Sequence, residues 1–206
     1  MIIDALDFIV KKYNVDLSKE SPFRINCCRV KDLPFLFKDL GLNFGVEVGV
    51  LDGVYSDILL KSNPELKLFL VDMWKEYPMH KNFRKQRHYA WHRGQTIERL
   101  EKYGNSKIIE KWSMDAVKDF EDESLDFVFI DANHDFEHVT EDIAQWGKKV
   151  KKGGIIAGHD FLDSAKSLFV SVETVVRAWT NAKRIHPWFI LDSVIEPQKP
   201  SWMWVK

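Results

Sequence analysis

The sequence predicts an α/β protein: a doubly wound, mostly parallel sheet with helices on both faces. Three observations carry that expectation. Short apolar runs recur at Phe44 to Val48, Leu66 to Val71, Lys107 to Ile109, Phe127 to Ile130 and Gly154 to Ala157, with the near-continuous apolar character of strands buried on both sides. Helical patterns separate them; the clearest places Phe136, Val139, Ile143, Trp146 and Val150 at spacings of three and four and stops before Gly153-Gly154. A glycine-bearing loop comes after the first run, in FGVEVGVLDGVYS at 44–56, where a nucleotide-binding sheet turns from strand to helix.

Taken in order, Ile2, Ile3, Leu6, Ile9 and Val10 share one helical face and predict an amphipathic helix packed against the domain. Pro22 and Pro34 punctuate the next stretch, in which Leu33, Phe35, Leu36, Phe37 and Leu40 form a second small apolar element ending at Gly41. Residues 1–40 therefore read as an N-terminal helical extension and 41–206 as the domain proper. After the fifth apolar run, Leu168, Val172, Val175, Val176 and Trp179 predict another helix. Pro187 to Leu191 and Ser201 to Val205 then come with no helix between them, which predicts an antiparallel hairpin at the edge of the sheet. Trp202 and Trp204 on one face of the last run suit a sheet packed under helices, and equally a homodimer edge.

At 206 residues the chain holds one such domain and not comfortably two. A formal net charge of −1 argues against a dedicated nucleic-acid coat, so a polyanion partner would need a local patch. Cys27 and Cys28 are adjacent, which suits neither a disulfide nor C-x-x-C metal spacing, so a reducing cytoplasm is expected. The opening MIIDALDFIVKKYN carries acids where a signal peptide needs an uninterrupted apolar core. No run reaches the roughly 18 apolar residues of a membrane span, so a soluble protein is expected.

In a doubly wound sheet the ligand sits outside the carboxyl ends of the strands. That rim carries Glu47, Gly49 and Gly53, then Asp72, Ser113-Met114-Asp115, Asp131 and His159-Asp160. A dinucleotide fingerprint needs G-x-G-x-x-G, whereas this loop reads E-x-G-x-x-x-G. A pyrophosphate also wants backbone N–H groups without neighbouring carboxylates. Glu47 and Asp52 would repel phosphate and suit a ligand bearing an amine and a sulfonium. S-adenosylmethionine is such a ligand, and Asp72 stands where an acid takes both ribose hydroxyls.

On these residues the sequence resembles a known family. EVGVLDGVYS resembles motif I of class I S-adenosylmethionine-dependent methyltransferases, and LFLVDMW resembles their second motif. SLDFVFIDANHDFEHVTEDIAQWGKKVKKGGIIAGHDF is similar to the corresponding region of their small-molecule and phage-type group, which carries an Asp-x-x-His segment. The resemblance covers about residues 40 to 206. It implies a Rossmann-like sheet of seven strands with the last antiparallel. It also implies that Gly49 and Gly53 let the backbone approach the methionine portion and that Glu47 holds its amino group. Asp72 would take the ribose, with Met73 and Trp74 beside the adenosine; Ser113 and Met114 would border the adenine, and Asp131 would lie near the methionine end. Tyr55 departs from the small residue of many relatives, which leaves the role of Ser56 open.

Methyl transfer is an in-line displacement on a carbon already activated by its sulfonium, so the enzyme mainly supplies positioning and, for a hydroxyl acceptor, a base. His134, His159, Asp131 and Asp160 are the catalytic candidates, all at the ends of two strands expected to be neighbours. The related catechol O-methyltransferase-like enzymes hold a divalent ion at this rim. Asp131, His159 and Asp160 are the candidate ligands here, and the imidazole would favour Mn²⁺, Fe²⁺ or Zn²⁺ over Mg²⁺. The plainer alternatives are that His134 and His138 cap a helix and that His159-Asp160 closes a strand.

Between Lys81 and Arg99 six basic residues mix with Phe83, Tyr89 and Trp91, as a lid over an anionic ring substrate would, or a solvated helix with one aromatic face. Basic and aromatic residues together also suit a nucleic-acid acceptor, to which the near-neutral chain adds no support. The expected activity is methyl transfer from S-adenosylmethionine to an oxygen, and secondarily a nitrogen, of a small-molecule or sugar-like acceptor, chosen by residues 75–99 and 161–170. Its rivals are an NAD-dependent oxidoreductase and a catalytically inactive nucleotide-binding scaffold.

Overall fold

A computed structural model of the chain describes residues 4–76, 86–163, 170–192 and 199–206. In chain order the elements are α1 (Ala5–Lys12), β1 (Phe23–Asn26), α2 (Leu33–Asp39), β2 (Phe44–Val48), α3 (Val54–Ser62), β3 (Lys67–Val71) and α4 (Gln86–Leu100). Next come β4 (Ser106–Ile109), α5 (Ser113–Ala116), β5 (Leu125–Ile130), α6 (Phe136–Lys149), β6 (Val150–Gly158), α7 (Val172–Lys183), β7 (Trp188–Asp192) and β8 (Ser201–Val205). The strands form one sheet in the order β1-β7-β8-β6-β5-β2-β3-β4.

Every pairing is parallel except the two made by β8. The strand order reverses at β2, which lies between β3 and β5, and this switch point is where such a sheet opens a ligand crevice. The five expected parallel strands are present, and the sheet has eight strands where seven were expected. The eighth is β1, which pairs Phe23–Asn26 in parallel with Phe189–Asp192 and covers the backbone edge that β7 would otherwise expose.

The hairpin of β7 and β8 therefore lies inside the sheet and not at its edge. β8 inserts between β6 and β7, and Trp202 and Trp204 are buried with their rings stacked at 5.1 Å, so they form core and no dimer edge. The helix expected to run toward Gly153 ends earlier, at Lys149, because Val150 turns straight into β6 while keeping its side chain in the core.

Two apolar layers sandwich the sheet. On one face Ile9, Leu33, Phe37 and Leu59 meet Phe127 and Phe129, with Phe37 stacked on Phe127 at 4.2 Å. On the other Val46 and Val128 meet Ile143, Trp146 and Val176. Trp146 is fully buried, and truncating a core aromatic of that size typically costs about 3–5 kcal/mol. Ile2, Ile3 and Leu168 of the expected helical faces lie outside the described residues. Among the described residues no helix is long and apolar enough to cross a membrane.

Candidate active site

The loop between β2 and α3 is shaped by two left-handed glycines. Gly49 has φ +89° and a side chain there would run into the Asp131 carbonyl; Gly53, at φ +74°, caps α3. Asp72, just past β3, latches the loop: its Oδ2 accepts the N–H groups of Val50 and Leu51, each at 3.0 Å, and its Oδ1 accepts that of Trp74 at 2.8 Å. The Leu51 carbonyl accepts the Trp74 indole N–H at 2.7 Å and the Thr96 hydroxyl at 3.0 Å. Arg99 Nε donates to the Asp52 carbonyl at 3.1 Å. Trp74 is thus turned inward to prop the loop, while Met73 beside it is half-buried.

Glu47 is 2% exposed at the end of β2 and accepts a 2.5 Å hydrogen bond from Ser56 Oγ. Burial pushes its carboxyl up to about 8, against the Ser56 hydrogen bond that lowers it and with Asp131 adding to the rise. Tyr55 packs on Phe129 with rings 4.5 Å apart, and this leaves Ser56 on the side of α3 that faces Glu47. With Tyr55 turned to Phe129, Ser56 bonds Glu47 and is not displaced by its larger neighbour.

At the neighbouring strand ends Asp131, His134, His159 and Asp160 converge. His134 Nε2 lies 3.4 Å from Asp131 Oδ1 and 3.2 Å from Asp160 Oδ2. His159 Nδ1 lies 3.6 Å from Asp131 Oδ2 and 3.6 Å from Asp160 Oδ1. Burial raises the Asp131 carboxyl, but hydrogen bonds and charge from His134 and His159 outweigh it and hold the group well below the usual carboxylate range. Burial lowers His134, yet Asp131 and Asp160 leave its imidazole above its ordinary value. His138 faces the cap of α6 instead, donating to Asp135 through both its backbone N–H and its ring.

Ligand atoms of Asp131, His134 and Asp160 all lie within 4.8 Å of one another, so His134 stands in this trio where His159 was expected. Two carboxylates and one imidazole suit Mn²⁺, Fe²⁺ or Zn²⁺. Lys199 Nζ stands 3.3 Å from Asp160 Oδ1, a cation beside the same carboxylate.

Ser113 begins α5, but its hydroxyl is engaged inward, donating to Asp142 and accepting the Trp146 indole N–H at 2.8 Å. Burial pushes Asp142 up to about 7. Met114 packs partly buried against the core beside it. Of the basic and aromatic insertion, residues 77–85, with Lys81 and Phe83, lie outside the described residues, as do 164–169. In α4, Trp91 is 59% exposed and Arg93 pairs with Glu110 at 2.7 Å.

Other contributors carry no signal in the sequence. Thr96 and Arg99 clamp the loop from α4, Lys199 reaches Asp160 from ahead of β8, and Arg29 comes from the segment between β1 and α2. No local pattern marks them, because each acts across a long stretch of chain.

A family model described as a methyltransferase domain matches residues 46–161. The O-methyltransferase from Bacillus cereus, solved in complex with SAH, superposes with a TM-score of 0.62 at 16% identity, covering 99% of this chain and 91% of that one. The O-methyltransferase TomG from Streptomyces achromogenes, solved with SAM, gives a TM-score of 0.61 at 16% identity, over 99% and 90% of the two chains. The N-methyltransferase NodS from Bradyrhizobium japonicum gives 0.56 at 13% identity, over 86% and 96%. No curated protein sequence matches the chain. At these identities the structural likenesses speak for the fold.

Proposed function

The chain belongs to the methyltransferase-domain family, and from that premise we propose that it transfers the methyl group of S-adenosylmethionine to an oxygen of a small-molecule or sugar-like acceptor, with nitrogen as the secondary acceptor atom. The observation that carries this reading is the position of Asp131. Its carbonyl backs onto Gly49 of the cofactor loop while its carboxylate meets His134 and His159. Cofactor loop and candidate base are thereby joined by one residue.

In this reading the methionine ammonium and sulfonium lie toward Glu47 and Asp131, and the adenosine toward Asp72 and Met73 with Met114 beyond. Asp72, its carboxylate already holding the loop, offers its remaining lone pair to the ribose. The acceptor oxygen attacks the methyl carbon in line, the C–O bond forming as the C–S bond breaks and its electron pair returns to sulfur. His134, its Nε2–H held by two carboxylates, takes the hydroxyl proton at its other ring nitrogen, and both carboxylates stabilise the imidazolium. His159 and Asp160 hold that arrangement from β6. Asp131, His134 and Asp160 would hold a divalent ion, which would supply by polarising the acceptor oxygen what the base supplies by proton transfer.

The reading is tested by calorimetric titration with S-adenosylmethionine, S-adenosylhomocysteine and NAD. Micromolar binding of the first two, with none of NAD, is expected; binding of NAD alone would overturn it. The adjacent Cys27 and Cys28 are both buried and neither is in a disulfide, which suits the reducing cytoplasm we assign to the protein.

A further inference from the structure

Arg29 is held in place before it meets any ligand. The Cys28 carbonyl accepts the N–H groups of Lys31, Asp32 and Leu33, and the Cys28 N–H donates to Asp32 Oδ2 at 2.7 Å, so the backbone carrying Arg29 is tied into the start of α2. The guanidinium lies over the Tyr55 ring, 4.8 Å from its centroid, and its Nη1 is 3.8 Å from Asp131 Oδ2. Its side chain is 14% exposed. Tyr55 is in the first turn of α3, directly after Gly53 and Val54, so Arg29 stands at the start of that helix on the Asp131 side of the loop.

The tail of S-adenosylmethionine carries an ammonium, a sulfonium and a carboxylate. Glu47 and Asp131 suit the two cations, and for the same reason they repel the third group. Resting on the reading above, we propose that Arg29 is the receptor for the cofactor's carboxylate and so selects ligands bearing an amino-acid tail. A guanidinium carries five donors in a rigid planar fork, and that fork matches a carboxylate with two parallel hydrogen bonds. Stacking on Tyr55 fixes the plane of the fork. The start of α3 adds a favourable dipole for an anion at this corner. The pair with Asp131 becomes a relay of charge: carboxylate to Arg29, Arg29 to Asp131, Asp131 to the reacting end.

The test compares S-adenosylmethionine with decarboxylated S-adenosylmethionine, which keeps the ammonium and sulfonium and lacks the carboxylate, by calorimetry on the full chain. The wild-type protein should bind the carboxylate-bearing ligand about 10- to 100-fold more tightly. Arg29→Gln should lose about that factor for S-adenosylmethionine and stay within about threefold for the decarboxylated ligand, so that the preference collapses. Arg29→Lys should restore part of it, as a point charge without the fork. A wild-type ratio near one overturns the assignment without recourse to any variant. Equal losses for both ligands in Arg29→Gln also overturn it, making Arg29 a structural prop for Asp131 and Tyr55. Failure of the wild-type protein to bind either ligand overturns the methyltransferase reading along with it, an outcome distinct from the other two.

Discussion

Ser56 Oγ sits 2.5 Å from Glu47 Oε2, a hydrogen bond between the first turn of α3 and the buried end of β2. It couples the helix after the cofactor loop to a carboxyl in the loop's path that burial pushes up to about 8. Removing the hydroxyl leaves that carboxyl less satisfied in an apolar setting.

Ser56→Ala should therefore destabilise the fold by about 1–3 kcal/mol and raise Glu47 further. Chemical denaturation gives the first quantity. A variant as stable as the parent would mean that the hydrogen bond contributes nothing net.

Cofactor affinity should depend on pH through the same group. In the proposed reading the ionised form of Glu47 receives the ammonium, and because its carboxyl is raised to about 8, affinity for S-adenosylhomocysteine should climb as pH rises from neutrality toward that value. Binding near neutral pH should release a proton, seen as a dependence of the calorimetric heat on the buffer's ionisation enthalpy. An affinity flat across this range would remove Glu47 from the ammonium site.

Stability without ligand should move the other way. Glu47, at about 8, and Asp142, at about 7, both hold protons in the folded state that the unfolded chain releases near its ordinary carboxylate values. Their neutral forms are favoured by the fold, so stability falls as pH rises from about 4.5 through about 8. The melting temperature at about pH 6 should exceed that at about pH 8.5, and Asp142→Asn should flatten the difference.

Asp72→Ala should lose the loop as well as the ribose contact. Three backbone N–H groups, those of Val50, Leu51 and Trp74, lose their acceptor, at about 1–3 kcal/mol in stability, and cofactor binding should disappear with them. Asp72→Asn keeps a carbonyl oxygen for Val50 and Leu51 but turns an NH2 toward the Trp74 N–H, so it should lose less stability than Asp72→Ala while weakening S-adenosylhomocysteine by about tenfold or more. Equal binding by all three proteins would detach Asp72 from the cofactor.

Mn²⁺ titrated into the protein and followed by electron paramagnetic resonance should be bound by the parent and by His138→Ala, since His138 faces the cap of α6. Asp131→Asn, His134→Ala and Asp160→Asn should each weaken it by about tenfold or more. Binding that survives all three would place the ion elsewhere. With an acceptor in hand, His134→Ala should lower turnover by about 10²–10⁴ with cofactor affinity unchanged.

The rim of the sheet was legible because its signals are local. Strand ends are set by apolar runs, and a residue such as Asp131 or Asp72 that interrupts one at its carboxyl end lands on the rim by geometry. Ser56 was visible but not interpretable, since its partner depends on which way Tyr55 turns. Trp202 and Trp204 were equally fit for core or for an interface, because their alternation fixes one face and says nothing of what covers it.

The sequence by itself determined the α/β architecture, the glycine loop at the switch point, and the convergence of Glu47, Asp72, Asp131, His134, His159 and Asp160. Periodicity, glycine backbone demands and chain direction are properties of neighbouring residues. Only the tertiary structure decided that residues 23–26 add an eighth strand, that β8 lies inside the sheet, and that Arg29 and Lys199 reach the acidic cluster. Those outcomes join segments more than a hundred residues apart in some cases, and packing selects among such pairings by the edge it must cover and the charge it must neutralise, neither of which is written in the local pattern.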